Sequence, residues 1–385
     1  MSDANTQLDV VTVEAEALKS NEDFILLQRK KSAGVIDGIS AEKIAQTGDI
    51  NAAAAIRRVT GVSIEAGKYV YVRGIGDRYT QTLLNGLQIP GLDPNRNTVQ
   101  LDLIPSQLLD NIIVKKTFTP DLPGTSTGGT VNIVTSDFPD QFTINVSARI
   151  GYNSQATFND NFITYVGGNT DWLGIDDGTR GFPSTIDPEA RGEDIPLQVN
   201  IFSNPEAAIP ILRDQTQAFS TNVDPIQDSP PVDHRFALSI GNQNELGNNV
   251  SWGYQASLSY VREYEFWENN VVELYQIALA PNALYRFRED RGIDNVLWGG
   301  LVTTGLKIGS KHKINANFMY NRSGIQTTIE RQGELSAEQR GDYQNFTALL
   351  YEERELASYQ LFGSHFIGEE NQFQVEWSGA YTDSK

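Results

Sequence analysis

The sequence contains no cysteine, which removes disulfide frameworks and thiolate metal sites from consideration. Histidine occurs only at His234, His312 and His365, and no two of these lie at a metal-ligand spacing along the chain, so an enzyme built on zinc is not expected; no cofactor is expected either. No run approaches 18 consecutive apolar residues, which excludes a membrane-spanning helix but leaves a β-barrel open, since barrel strands alternate. The opening residues 1–7 have neither a basic start nor an apolar stretch, so the numbering begins after, or without, an export signal. Basic residues are also scarce: 30 Lys and Arg face 49 Asp and Glu, a formal charge of -19, which argues against a nucleic-acid partner.

What is present is glycine (33 residues) and aromatics (10%) within a hydrophobic content of 39%. A chain of many strands with one wet face has this composition. Residues 1–20 read as a polar arm with one β-prone patch, Asp9, Val10, Val11, Thr12 and Val13. Residues 21–138 read as a compact α+β unit. Within it the spacing predicts a helix over Ala52 to Val59, capped by Asp49 and closed by Gly61. Strands are expected at Lys68–Arg73 and Thr130–Thr135, with a hairpin turning on Asn85-Gly86, the pair that a type I′ turn requires.

From residue 139 to 385 the pattern becomes period-two alternation. Phe142, Ile144, Val146, Ala148, Ile150 and Tyr152 share one face, against Thr143, Asn145, Ser147, Arg149 and Gly151 on the other. Val250 to Tyr260 and Phe373 to Tyr381 repeat this, and weaker versions lie at 234–241, 297–308, 313–320 and 356–366. Of the six links between these seven strands, the second, fourth and sixth are short, while the first, third and fifth are long. Outer-membrane barrels have short periplasmic turns and long outer loops, whereas a soluble β-sandwich has no reason for that parity. Seven strands are read here and the barrel is left unfinished, so the expected fold is an α+β domain followed by part of an antiparallel transmembrane barrel. On this reading the chain ends on an outward-running strand, with more to follow Lys385.

Two matches to catalytic motifs fail on context. Gly124-Thr-Ser126-Thr-Gly128 fits a nucleophile elbow, yet Pro120 and Pro123 precede it and a strand follows. Gly61 to Tyr69 has one residue too many for a phosphate loop, and tyrosine where Ser or Thr must meet magnesium. No enzyme is expected. In Gly174 to Arg180 the clustered carboxylates admit a calcium site, with a solvated acidic loop as the better reading.

Five pieces in fixed order resemble the TonB-dependent receptor family: Asp9–Val13; Ala53–Val59 followed by Thr60-Gly61-Val62; Tyr71-Val72-Arg73-Gly74; Leu84–Pro90; and Gly128–Val134. The likeness is closest to members with a Val-Arg-Gly-Ile-Gly-Asp-Arg-Tyr run, here Val72 to Tyr79. Lys115 to Pro123 departs from the Arg-Gly-Pro and Tyr-Gly sequence of many relatives. The resemblance implies a plug domain inside an outer-membrane barrel of about 22 strands, of which about seven are present here, in a Gram-negative bacterium, with the plug on the periplasmic side and lipid around the barrel. It further implies import of a scarce nutrient such as a metal chelate or an oligosaccharide, driven by a TonB-type energy-transducing protein. Asp9–Val13 would be the segment that this partner grips, by strand addition to its sheet. Asp77, Arg78 and Tyr79, with Asp93, Asn95 and Arg96, are the candidate ligand contacts, although they also read as ordinary turn residues. A passive pore or a surface adhesin is the competing function.

Overall fold

The computed structural model describes residues 21–385 except 50, 66, 77–78, 92–98, 105, 121, 123, 125, 137, 140, 184, 187–201, 220–222, 248, 276–282, 336–341 and 369–372. Asp9–Val13, Asp77, Arg78, Asp93, Asn95 and Arg96 therefore lie outside the described residues.

The first unit opens with helix α1, Glu22–Lys31, whose acidic first turn (Glu22, Asp23) and basic last turn (Arg29, Lys30, Lys31) both complement the helix dipole and stabilise the helix. Strand β1 (Ile36–Ser40) follows, and Ser40 caps α2 (Ala41–Thr47) by accepting from the Lys43 amide at 3.3 Å. Helix α3 is shorter than its sequence predicts. It runs Ala52–Ile56, and its cap is Asn51, whose Oδ1 accepts from the Ala54 amide at 2.8 Å. Beyond Ile56 the amides of Arg58 and Val59 turn back to Ala55 and Ile56, so the helix tightens by one residue per bond and stops. Asp49, the expected cap, instead holds Arg58 through two bonds of 2.7 and 2.9 Å.

Five strands form the sheet of this unit in the order β1, β6 (Leu109–Lys115), β7 (Gly129–Thr135), β4 (Thr80–Leu84), β5 (Leu87–Gln88), with only β4 and β7 parallel. Asn85 and Gly86 join β4 to β5 at φ 54 and 81, the two positive angles that a type I′ turn demands. A separate pair, β2 (Val62–Glu65) and β3 (Tyr69–Val72), lies beside it. Ile56, Val70, Ile112 and Ile133 are fully enclosed between helices and sheet.

The second unit is a wall of seven antiparallel strands paired in chain order: β8 (Thr143–Gly151), β11 (Asp233–Gly247), β12 (Val250–Tyr275), β13 (Ala283–Ile308), β14 (His312–Leu335), β15 (Asp342–Ile367) and β16 (Phe373–Ser384). Between β8 and β11 the chain forms the short pair β9 (Phe162–Thr164) and β10 (Ile226–Asp228), and helix α4 (Pro205–Ala218). Among the described residues the sheet stays open, with β8 and β16 at its edges.

The two faces of the wall are inverted relative to a soluble sheet. Leu258 (52% exposed) and Val146 (75%) point outward, while Ser257, Thr303, Asn317 and Ser358 are buried on the inner face. A soluble sandwich buries its apolar face, so this arrangement decides for a barrel wall. The first unit packs on the inner face. Val261, Leu297, Leu301, Met319 and Leu356 complete its core, and Gln360 donates to the Leu84 carbonyl at 3.3 Å.

All seven predicted strands are present, but four extend much further than their alternation. β12, β13 and β15 each have 26 residues, roughly 85 Å at about 3.3 Å per residue, where about 10 residues suffice to span a bilayer. The third and fifth links, expected to be long irregular loops, are therefore mostly strand; only 276–282 and 336–341 separate the strands there. Above the apolar band both faces carry charge, for example Arg262, Glu263 and Glu265, so a polar-apolar period disappears although the strand continues.

Candidate functional site

The inner unit and the rising wall enclose the space in which a ligand can be met. Lys68, in the turn between β2 and β3, faces Asp233, Arg235, Glu263 and Glu265 across a cavity of about 320 Å³. Arg235 and Glu263 form an ion pair on neighbouring strands, both on the inner face. Higher on that face Glu289 is enclosed between two guanidiniums, Arg291 at 2.7 Å and Arg331. Paired charges of both signs line the interior.

A second, smaller cavity of about 130 Å³ separates the unit from β8 and β11, lined by Asn51, Asp102, Arg149 and Arg235 among others. Asp102 is buried there, and its Oδ1 has no hydrogen-bond partner among the described residues. Burial pushes this carboxyl above the ordinary carboxylate range, opposed by the positive charges of Lys68 and Arg235.

At the junction of the two units Phe138 is pressed onto two glycines that are register partners, Gly253 on β12 and Gly305 on β13. A β-carbon on Gly253 would overlap the phenyl ring. Lys307 Nζ lies 5.3 Å from the centroid of the same ring.

Residues 28–131 match the family profile described as TonB-dependent Receptor Plug Domain. The chain carries a TonB-dependent receptor plug. A search of curated proteins returns no match. Among solved structures, the ferric enterobactin receptor of Pseudomonas aeruginosa is 11% identical at a TM-score of 0.37, the match covering 93% of this chain and 50% of that one. The outer membrane transporter YddB from Escherichia coli is 13% identical at 0.36, covering 91% and 48%. The siderophore receptor PirA from Pseudomonas aeruginosa is 13% identical at 0.34, covering 92% and 49%. The chain spans about half the length of these structures.

Of the plug residues expected to meet ligand, Tyr79 is the described one. It is half exposed and stands just before β4, at the opposite end of that strand from the Asn85-Gly86 turn, which borders the wall turn of Gly309, Ser310 and Lys311. Its carbonyl accepts from the Gly128 amide at 2.8 Å. A β-carbon on Gly128 would meet Tyr79 and Ile75, so the glycine lets β7 approach the turn closely. The sequence reading missed Lys68, Arg235, Glu263 and the Glu289 cluster, because they converge only when strands far apart in the chain are aligned.

Two expectations about metals need correction or detail. His312 and His365, 53 residues apart, are cross-strand partners with Nδ1 atoms 3.2 Å apart. Trp377 Nε1, which can only donate, gives its proton to His365 Nε2 at 3.0 Å. In a neutral His365 the proton then sits on Nδ1 and is donated to His312 Nδ1. Spacing along the chain is no guide across a sheet, and the pair is a hydrogen-bonded chain of rings. In the Gly174 to Arg180 loop the carboxylates are engaged internally. Asp171 and Asp176 bind Arg180, with 2.9 Å from Nη1 to Asp176, and Asp177 accepts from Thr179 and from the Asn169 amide. The Thr179 hydroxyl, then the Asn169 amide, lower the Asp177 carboxyl to about 2. Among the described residues no group of three or more His, Cys, Asp or Glu side chains is placed to hold a metal ion.

Proposed function

We propose that the protein is an outer-membrane receptor that imports a scarce nutrient, a metal chelate or an oligosaccharide, with energy relayed by a TonB-type protein. The observation that carries this reading is the plug seated on the polar inner face of a wall whose apolar face points outward. A passive pore or an adhesin has no use for a domain that obstructs its own lumen. In this reading residues 1–20 are the coupling arm, 21–138 the plug and 139–385 the first part of the barrel. The barrel is ringed by lipid in a Gram-negative outer membrane, the plug faces the periplasm, and nucleic acid has no part.

Asp9–Val13 supplies an extended segment that adds to a sheet edge of the energy-transducing partner, with main-chain hydrogen bonds providing the grip. Asp77, Arg78 and Tyr79, with Asp93, Asn95 and Arg96, make the first contacts with ligand from the plug. Uptake by cells tests the proposal. Val11→Pro removes an amide donor and disfavours the paired strand, so uptake stops while ligand binding at the surface persists. A protonophore has the same effect on the wild type. Uptake that survives both treatments identifies a passive pore instead.

A further inference from the structure

The first link of the wall leaves β8 at Gly151, and one part of it, Trp172–Gly174, is bound to a single face of the wall. Register fixes which side it takes. Tyr260, Trp298 and Arg322 are aligned across β12, β13 and β14 on the face of Leu258 and Val302, opposite to the face that holds the plug. It is these residues that bind the link: Tyr260 Oη donates to the Trp172 carbonyl at 2.8 Å, Trp298 Nε1 to the Leu173 carbonyl at 2.7 Å, and Arg322 Nε to the Gly174 carbonyl at 3.0 Å. Further along, Gln326 donates to Thr164 Oγ1 and to the Tyr165 carbonyl, both at 2.9 Å. Thr164, Tyr165 and Trp172–Gly174 of the link thus form a second layer on the outside of the wall.

Its level on the wall is defined by what lies on either side of it. Below Tyr260 and Trp298 come the exposed apolar Leu258, Val302 and Phe318. Above come ion pairs on the same face, Arg262 with Asp294 at 2.7 Å and Arg322 with Glu353 at 2.8 Å. Tyr260, Trp298 and Tyr320 therefore mark the rim where the apolar band ends, the position at which barrel aromatics ordinarily present polar tips to lipid headgroups and water. Here the tips of Tyr260 and Trp298 are taken by the carbonyls of the turn Asp171–Leu173, and Trp172 in that turn is itself half exposed.

We propose that the turn Asp171–Leu173 is a membrane-contact element, in which Trp172 replaces Tyr260 and Trp298 as the anchor at the headgroup boundary of the surrounding lipid. The occupant is the bilayer because the turn is continuous with the apolar band directly beneath it. The proposal rests on the reading that the wall spans a membrane, and the test separates the two.

The full-length protein is reconstituted into phospholipid vesicles with a nitroxide on a single cysteine introduced by Trp172→Cys or, within the band, Val302→Cys; these 385 residues supply no competing thiol. Accessibility to oxygen and to a water-soluble nickel chelate gives the depth of each label. The expected result is a label at 302 deep in the bilayer and one at 172 at its boundary, more accessible to oxygen than to the chelate. A fully aqueous label at 172 with a lipid-buried label at 302 overturns the proposal and leaves the membrane reading intact, whereas aqueous labels at both positions overturn the membrane reading. Dipolar broadening at 172 between copies would assign the turn to a second copy of the chain and overturn the lipid assignment. As a check with the side chain in place, lipids brominated near the headgroup quench a tryptophan component that is lost in Trp172→Phe. Equal quenching of both proteins counts against the proposal.

Discussion

Phe138 covers Gly253 so closely that no side chain fits between the plug's last residues and strand β12. The ring is almost fully buried, and its neighbour on the next strand, Gly305, widens the same cradle. This contact joins two units that otherwise meet through scattered polar bonds and a shared apolar surface. Phe138→Ala is expected to weaken the plug's seat by about 3 kcal/mol, the usual scale for deleting a buried phenyl. Gly253→Val should be at least as damaging, since the ring has no room to retreat. Single-channel recordings in planar bilayers provide the check: both variants should show more frequent plug-open conductance than wild type, and unchanged closed behaviour would refute the anchoring role.

Arg180 is the fastener of the outer link. Its guanidinium lies 4.0 Å from the centroid of Tyr351 on β15 and binds Asp171, Asp176 and the hydroxyl of Tyr165. Stacking and a planar fork are both lost in Arg180→Lys, so even this substitution should loosen the link, by about 2 kcal/mol. Hydrogen exchange at Leu173 and Gly174, whose amides bond to Thr170 and Asp171, should accelerate by more than tenfold while exchange in the wall is unaffected.

Asp49 and Asp102 should give pH dependences of opposite sign. The Arg58 guanidinium, with help from Thr47, holds Asp49 below its ordinary 3.8. Its contribution is therefore present above that value and is lost as the pH falls through the lower folded-state pKa. Asp49→Asn should cost about 0.5 kcal/mol near neutrality, a small figure because Arg58 is half exposed to solvent. The two proteins should converge in acid, as followed by exchange of the α3 amides.

For Asp102 the folded-state pKa is raised by burial. The unfolded chain sheds the proton first, so stability declines as pH rises above 3.8 until the folded group also ionises. Asp102→Asn keeps the shape and removes the penalty. It should raise the denaturation midpoint at pH 7 and leave it unchanged below 3.8, and a lower midpoint at pH 7 would show that the carboxylate has a partner that stabilises it.

Local chemistry was legible in the sequence wherever one short stretch suffices. Asn85-Gly86 dictates its turn through two positive φ angles, and the alternation of Phe142 to Tyr152 dictates a strand with unlike faces. The order of five motif pieces pointed to the plug, which the match over residues 28–131 bears out. Even locally, competition between neighbours escaped the sequence: Asn51 and Asp49 are both good caps, and only the position of Arg58 decides that Asp49 has other work.

What tertiary structure alone decided is everything that depends on which strands become neighbours. A strand with charge on both faces has no apolar period, so the upper halves of β12 to β15 were invisible until their partners aligned them. His312 meets His365, and Glu289 meets Arg331, by register rather than by spacing. The same holds for the fit of Phe138 onto Gly253 and for the side of the wall on which Trp172 lies, because a sequence fixes the alternation of two faces and only packing says which face is covered, and by what.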